Sequence, residues 1–256
     1  MALFRRAGTE RRSGSRPLID FEYADIIGTL PKRRYQYIAA IYAAGLTHPD
    51  MAAVLQPDKV GFQPYITSEV WERLKAAMRA WRDLSAQHAD TRPVEAAILF
   101  YAGWLGHYVG DGSQPLHTTI NYNGWALKDN PNGYTTERSI HSKFETTFVA
   151  ANIKPADVQP LVPALKPVDD EWADYLAYLH QSNSLVERVY QLDKQKGFDG
   201  AGTPEGKQFT EARLAAGAAM LRDLIYAAWV QSAQPLPQRQ ERPAAPGYPG
   251  KPASGF

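Results

Sequence analysis

Three of the six histidines fall in one window with carboxylates at regular offsets. His107 and Asp111 are four residues apart, as are His141 and Glu145, and His117 lies between the two pairs in GDGSQPLH. At ~3.6 residues per helical turn, an offset of four brings both side chains onto one face. A helix that ends at Gly112 and turns at Pro115 folds His117 back toward its own end. Zinc takes three or four such ligands, imidazole nitrogen and carboxylate oxygen, at ~2.0–2.2 Å. Calcium and magnesium prefer oxygen alone. A single His–acid pair is ordinarily a solvated ion pair. Two pairs with a histidine between them point to a metal centre, the more so because His107 lies in an apolar helix, where an unsatisfied imidazole beside a carboxylate is costly.

The elements that must position these groups read as helices. Residues 68–88 place Val70, Leu74, Met78 and Trp81 at spacings of three and four, an amphipathic stripe. Pro93 suits the first turn of the next helix, EAAILFYAGWLGHYVGD. That helix is apolar on nearly every side (Ile98, Leu99, Phe100, Trp104, Leu105) and is expected to be the central, buried one. Residues 170–194 repeat the pattern with Trp172, Leu176, Leu179, Leu185 and Val189. Thr203 and Pro204 read as an N-cap and a first-turn proline opening a long helix to about Ala233. Residues 112–139 and 153–167 read as irregular, strand-like alternation is weak, and no internal repeat is present. The expectation is one all-α domain over 18–233. A polar Arg/Ser/Gly-rich arm precedes it (1–17), and a flexible Pro/Gly-rich tail follows it (234–256).

Composition narrows the chemistry. Lys plus Arg number 28 against 27 Asp plus Glu, a net charge of +1, which argues against a nucleic-acid binder working by charge alone. With no cysteine, disulfides, thiolate zinc fingers, iron–sulfur clusters and cysteine nucleophiles are excluded, and any metal must be held by His and carboxylate. No apolar run approaches the ~20 residues that span a bilayer, and the N-terminus lacks the apolar region of a secretory signal.

HYVGDGSQPLH followed by IHSKFE resembles the signature of the zinc-dependent phospholipase C and single-strand-specific nuclease superfamily, over roughly residues 65–233. The resemblance implies an all-α fold and hydrolysis of phosphoester or phosphodiester bonds with up to three Zn2+, a zinc-held water or hydroxide attacking phosphorus. It assigns His117, His141 and Glu145 to a solitary zinc, His107 to one member of a zinc pair, and Asp111 to the carboxylate that bridges that pair at the catalytic centre. The family's remaining ligands, an N-terminal Trp, a His downstream of it, and an Asp and a His before the segment matching IDFEYADII, have no counterpart. The chain has no histidine before His48 and opens with Met and an Arg-rich arm. Asp20, Glu22 and Asp25 are the acids nearby. The simplest account is an N-terminally shortened form of a secreted or periplasmic hydrolase. Phospholipid or single-stranded nucleic acid would be the substrate, with Glu145 leaning toward the phospholipase branch, and the chain would act as a monomer without a stable protein partner. The alternative is a catalytically impaired helical protein that retains one zinc.

Asn121, Tyr122 and Trp125, in the loop after His117, are candidates to line a substrate groove, with core packing the competing role. His48 reads as a loop residue, His88 as a helix-end residue and His180 as a core-edge residue. Lys32, Arg33 and Arg34 read as a solvated basic face, and Gly217 with its alanines as close helix packing.

Overall fold

Proline is tolerated in the first helical turn, where its missing N–H costs no hydrogen bond. Pro64, Pro93 and Pro204 each open a long helix in this chain. The structure is a computed structural model describing residues 18–235; the arm expected over 1–17 and all but the first two residues of the tail expected from 234 lie outside the described residues. Among the described residues the longer helices are α1 (Arg34–Thr47), α2 (Gln63–Ala86), α3 (Arg92–Ser113), α4 (Glu171–Asn183), α5 (Val186–Lys194) and α6 (Pro204–Gln231). No strand forms among them beyond two isolated bridges. The fold is all-α.

Helices α2, α3 and α6 pack on one another, and α4 lies across them and against the 3-10 turn Pro115–Thr118. Most of the stripe expected on α2 is buried: Val70, Leu74 and Met78 join Trp71 in the main core with Leu105, Val109, Tyr175, Leu179 and Leu224, while Trp81 is only half-buried, against Trp229. Each such side chain stabilises the fold by roughly 1.5–3 kcal/mol on burial. Two polar groups bond across this core: Trp71 Nε1 donates to the Leu224 carbonyl at 2.8 Å, and Gln63 Nε2 to the Tyr108 carbonyl at 2.8 Å. A second, smaller core gathers Leu116, Ile140, Phe144, Phe148, Val189, Tyr190 and Phe198. The residues with chemistry lie between these two cores.

Two sequence expectations are corrected. Residues 170–194 do not form one helix; α4 ends at Asn183 and α5 begins at Val186. The polar run Gln181–Ser184 competes for backbone hydrogen bonds, and the break lets α4 serve the main core while Val186, Val189 and Tyr190 serve the second. Nor is α3 buried all round. Leu105, Tyr108 and Val109 are buried, but Leu99 and Phe100 are 74% and 64% exposed and Trp104 is also exposed, because α2, α4 and α6 all pack on the other side. Among the described residues, no helix is long and apolar enough to cross a membrane.

Candidate metal centre

The hinge histidine is placed by backbone and side-chain bonds from three segments. Gln114 caps the 3-10 turn, its Oε1 accepting from Leu116 N, and Leu116 is fully buried in the second core. The amide of Ile19 donates to the His117 carbonyl at 3.0 Å, so the start of the described chain is tied to the same turn. Asn183 Nδ2, at the end of α4, donates to the Thr118 carbonyl at 2.7 Å.

Glu145 comes from a different kind of segment. Residues Lys143–Phe148 form a π-helical turn between the short α-helical turns Ile140–Ser142 and Val149–Asn152. Single π turns inside helices occur frequently at functional sites. Phe144 and Phe148 point into the second core and anchor this one.

Together these elements close a cluster. Glu145 Oε2 lies 2.9 Å from His141 Nε2 and 3.2 Å from His117 Nε2, and it accepts from Gln114 Nε2 at 3.3 Å. The two imidazole rings sit edge to face, 4.7 Å between centroids. One donor atom from each of His117, His141 and Glu145 lies within 4.8 Å of the others, and this is the one cluster of three such residues among the described residues. His141 Nδ1 is 3.0 Å from the Tyr122 carbonyl oxygen, which can only accept. Nδ1 therefore carries a proton, and Nε2 is the ring nitrogen that faces the cluster.

Burial pushes the Glu145 carboxyl up, but hydrogen bonds and charge from His117 and His141 outweigh it and hold the group well below the usual carboxylate range. Asp111 goes the other way. Burial raises its carboxyl, with Glu145 adding repulsion and His117, His107 and His141 opposing. Its Oδ2 is buried with no hydrogen-bond partner and lies 3.5 Å from His107 Nε2, so all five expected residues belong to one electrostatic neighbourhood. A buried, unpartnered carboxylate oxygen beside a two-imidazole, one-carboxylate cluster is a donor set that suits a divalent ion.

The loop residues separate. Asn121 is buried and its Oδ1 accepts from the amides of Ala126 and Leu127, while Trp125 packs edge to face on Tyr190 and against Tyr134. Tyr122 presents an exposed ring 6.2 Å from His141. His48 is exposed just past α1, His88 follows α2 with φ 53°, and His180 stacks on Phe21 at 4.0 Å. Glu22 is used by Thr119 Oγ1 and the Ile120 amide. Lys32 and Arg34 pair with Asp170 and Glu69 at the surface. Gly217 is close-packed, since a Cβ there would meet Ser113 Oγ at 3.1 Å.

Two residues escaped the sequence reading. Gln114 was legible as the residue before Pro115, in a position to cap a turn. Arg213 carries no local signal beyond being a lone cation among alanines. Comparison of the chain with protein-family models, curated proteins and solved structures finds no match.

Proposed function

We propose that the chain is a zinc-dependent hydrolase of phosphoester or phosphodiester bonds. The observation that carries this is the convergence of His117 Nε2 and His141 Nε2 on one oxygen of Glu145, beside the buried, unpartnered Oδ2 of Asp111. Family resemblance in HYVGDGSQPLH and IHSKFE supports the same reading.

His117, His141 and Glu145 would hold one ion, and His107 Nε2 with Asp111 Oδ2 offers two donors for a second. When bound, zinc supplies Lewis acidity, bringing the pKa of water toward ~7 and stabilising charge on a phosphoryl oxygen. The Tyr122 carbonyl keeps the proton on His141 Nδ1 and so keeps Nε2 free to ligate. Gln114 Nε2 also donates to Glu145 Oε2 and helps to hold it in place. Imidazole nitrogen and carboxylate oxygen must be unprotonated to ligate, so ion uptake weakens as pH falls.

Two substrate classes remain in view, and each has support. Along α3, Ala96, Phe100, Gly103 and His107 share a face by helical spacing, so an uncharged apolar path leads to the site, as a lipid phosphoester would use. Tyr122 offers an exposed ring on which a base of single-stranded nucleic acid would stack. The reading brings with it a secreted or periplasmic enzyme. A second reading, one retained zinc without turnover, is favoured by the pair site's having only two donors.

The test is metal content of protein purified without chelator, with hydrolysis of a nitrophenyl phosphodiester, phosphatidylcholine and single-stranded DNA. At least one zinc per chain with turnover is expected, and Glu145→Ala should lose that zinc. One zinc without turnover selects the second reading, and no zinc overturns both.

A further inference from the structure

Beside the candidate metal centre lies a cavity of about 280 Å3 between α3, α6 and the π-helical turn. Asp111, Gln114 and Glu145 line it together with the apolar Gly110, Phe144 and Leu221. Arg213, from α6, also lines it. This arginine is 8% exposed, the one buried arginine among the described residues, and its Nη1 is buried with no hydrogen-bond partner. Every other arginine of α1 to α6 that lacks an acid partner is exposed or bonded to a backbone carbonyl.

A guanidinium cannot shed its charge in a protein, so burying one without an anion is costly unless something compensates it. The nearby carboxylates do not. Neither Asp111 nor Glu145 is within 4.0 Å of it as an ion pair; both face the site histidines instead. Tyr178 is the group that interacts with Arg213 through charge, yet its hydroxyl is engaged with the Val109 carbonyl at 2.8 Å. Arg213 thus lines a mostly apolar cavity with an Nη1 that has no hydrogen-bond partner.

We propose that this cavity is an oxyanion subsite, in which Arg213 binds the phosphoryl group of a phosphate ester and the walls take a small apolar substituent. The need for an anion comes from Arg213 alone; its identity as a phosphoryl group rests on the hydrolase reading above. The volume lies just below the range usual for ligand pockets, ~300–1,000 Å3, and suits a phosphoryl group with one compact substituent rather than a nucleotide chain or a diacyl tail.

The experiment measures binding of inorganic phosphate and phenyl phosphate to the full-length protein by calorimetry, in wild type, Arg213→Met, His141→Ala and Gly110→Leu. Expected are binding to wild type, with phenyl phosphate tighter than phosphate, and a fall of about 10–100-fold in Arg213→Met, the scale of a lost charged hydrogen bond. His141→Ala, which removes a metal ligand and leaves the cavity intact, should bind within threefold of wild type. Gly110→Leu keeps Arg213 but projects into open space, since nothing lies within 4 Å of a Cβ there. It should lose phenyl phosphate, which keeps the proposal testable if Arg213→Met fails to fold. No binding to wild type at 10 mM, undiminished binding in Arg213→Met or Gly110→Leu, or binding abolished by His141→Ala alone would each overturn the subsite. The last outcome would place the anion on the metal and leave the hydrolase reading standing.

Discussion

Glu171 opens α4 and is almost wholly buried, its Oε1 accepting from Ser68 Oγ at 2.7 Å. It lies at the edge of a broad groove with Lys32, Arg34 and Trp172. Burial pushes its carboxyl from 4.5 up to about 7, the Ser68 hydrogen bond opposing only in part. An unfolded glutamate titrates near ~4.3. Between those two values the native state binds more protons than the unfolded state, so this residue lowers stability as pH rises through the interval. At about 1.4 kcal/mol for each tenfold change, the displacement from 4.5 to about 7 amounts to about 3 kcal/mol, a ceiling. Glu171→Gln stays neutral throughout and can still accept from Ser68. It should match wild type near pH 4 and exceed it by up to about 3 kcal/mol at pH 8. Urea unfolding followed by circular dichroism, at half-unit steps across that range, gives the difference directly, because the two proteins differ at this one group alone. Parallel curves, or a Glu171→Gln protein less stable than wild type at pH 8, would refute the claim that this acid is held protonated by burial.

Gly110→Ala should stabilise the chain by about 0.5–1 kcal/mol, since the glycine sits inside a helix and a Cβ there meets nothing within 4 Å. The expected rise in Tm is about 1–4 °C. Phe148→Ala removes a ring that is 1% exposed beneath the π turn and should cost about 3–5 kcal/mol in denaturant unfolding. Zinc content, measured on the folded fraction, should fall with it, and full zinc retention would show that the turn does not depend on its anchor. Leu99→Gln should change stability by less than about 0.5 kcal/mol despite the apolar character of its helix. A larger loss by calorimetry would mean that another surface covers that face.

Which of these features the sequence discloses follows from how local their causes are. The i,i+4 spacing of His141 and Glu145, the prolines opening α2, α3 and α6, and the Thr203 cap all act within a few residues. The buried face of α3 does not, because which side of a nearly all-apolar helix is covered depends on where α2, α4 and α6 arrive. The split between α4 and α5 likewise reflects two cores that exist only after folding. The meeting of His117, His141 and Glu145 was legible from their spacing and the family resemblance, but the groups that support it were not. Gln114 gains its role only when Glu145 arrives from 31 positions away. Arg213 is stranger to its own neighbourhood, a cation among alanines whose setting is made by α3 and the π turn.

The wide turn at Lys143–Phe148 amounts to one surplus residue within an otherwise ordinary coil. Losing a single codon there would let the segment close as a regular α-helix and rotate everything downstream of the cut by roughly 100° relative to everything upstream. The aromatic anchors and the acid could then no longer both keep their present directions. A lineage could in this way discard the chemistry by a frame-preserving deletion, without altering any of the five side chains, and related chains that keep every ligand need not keep the centre.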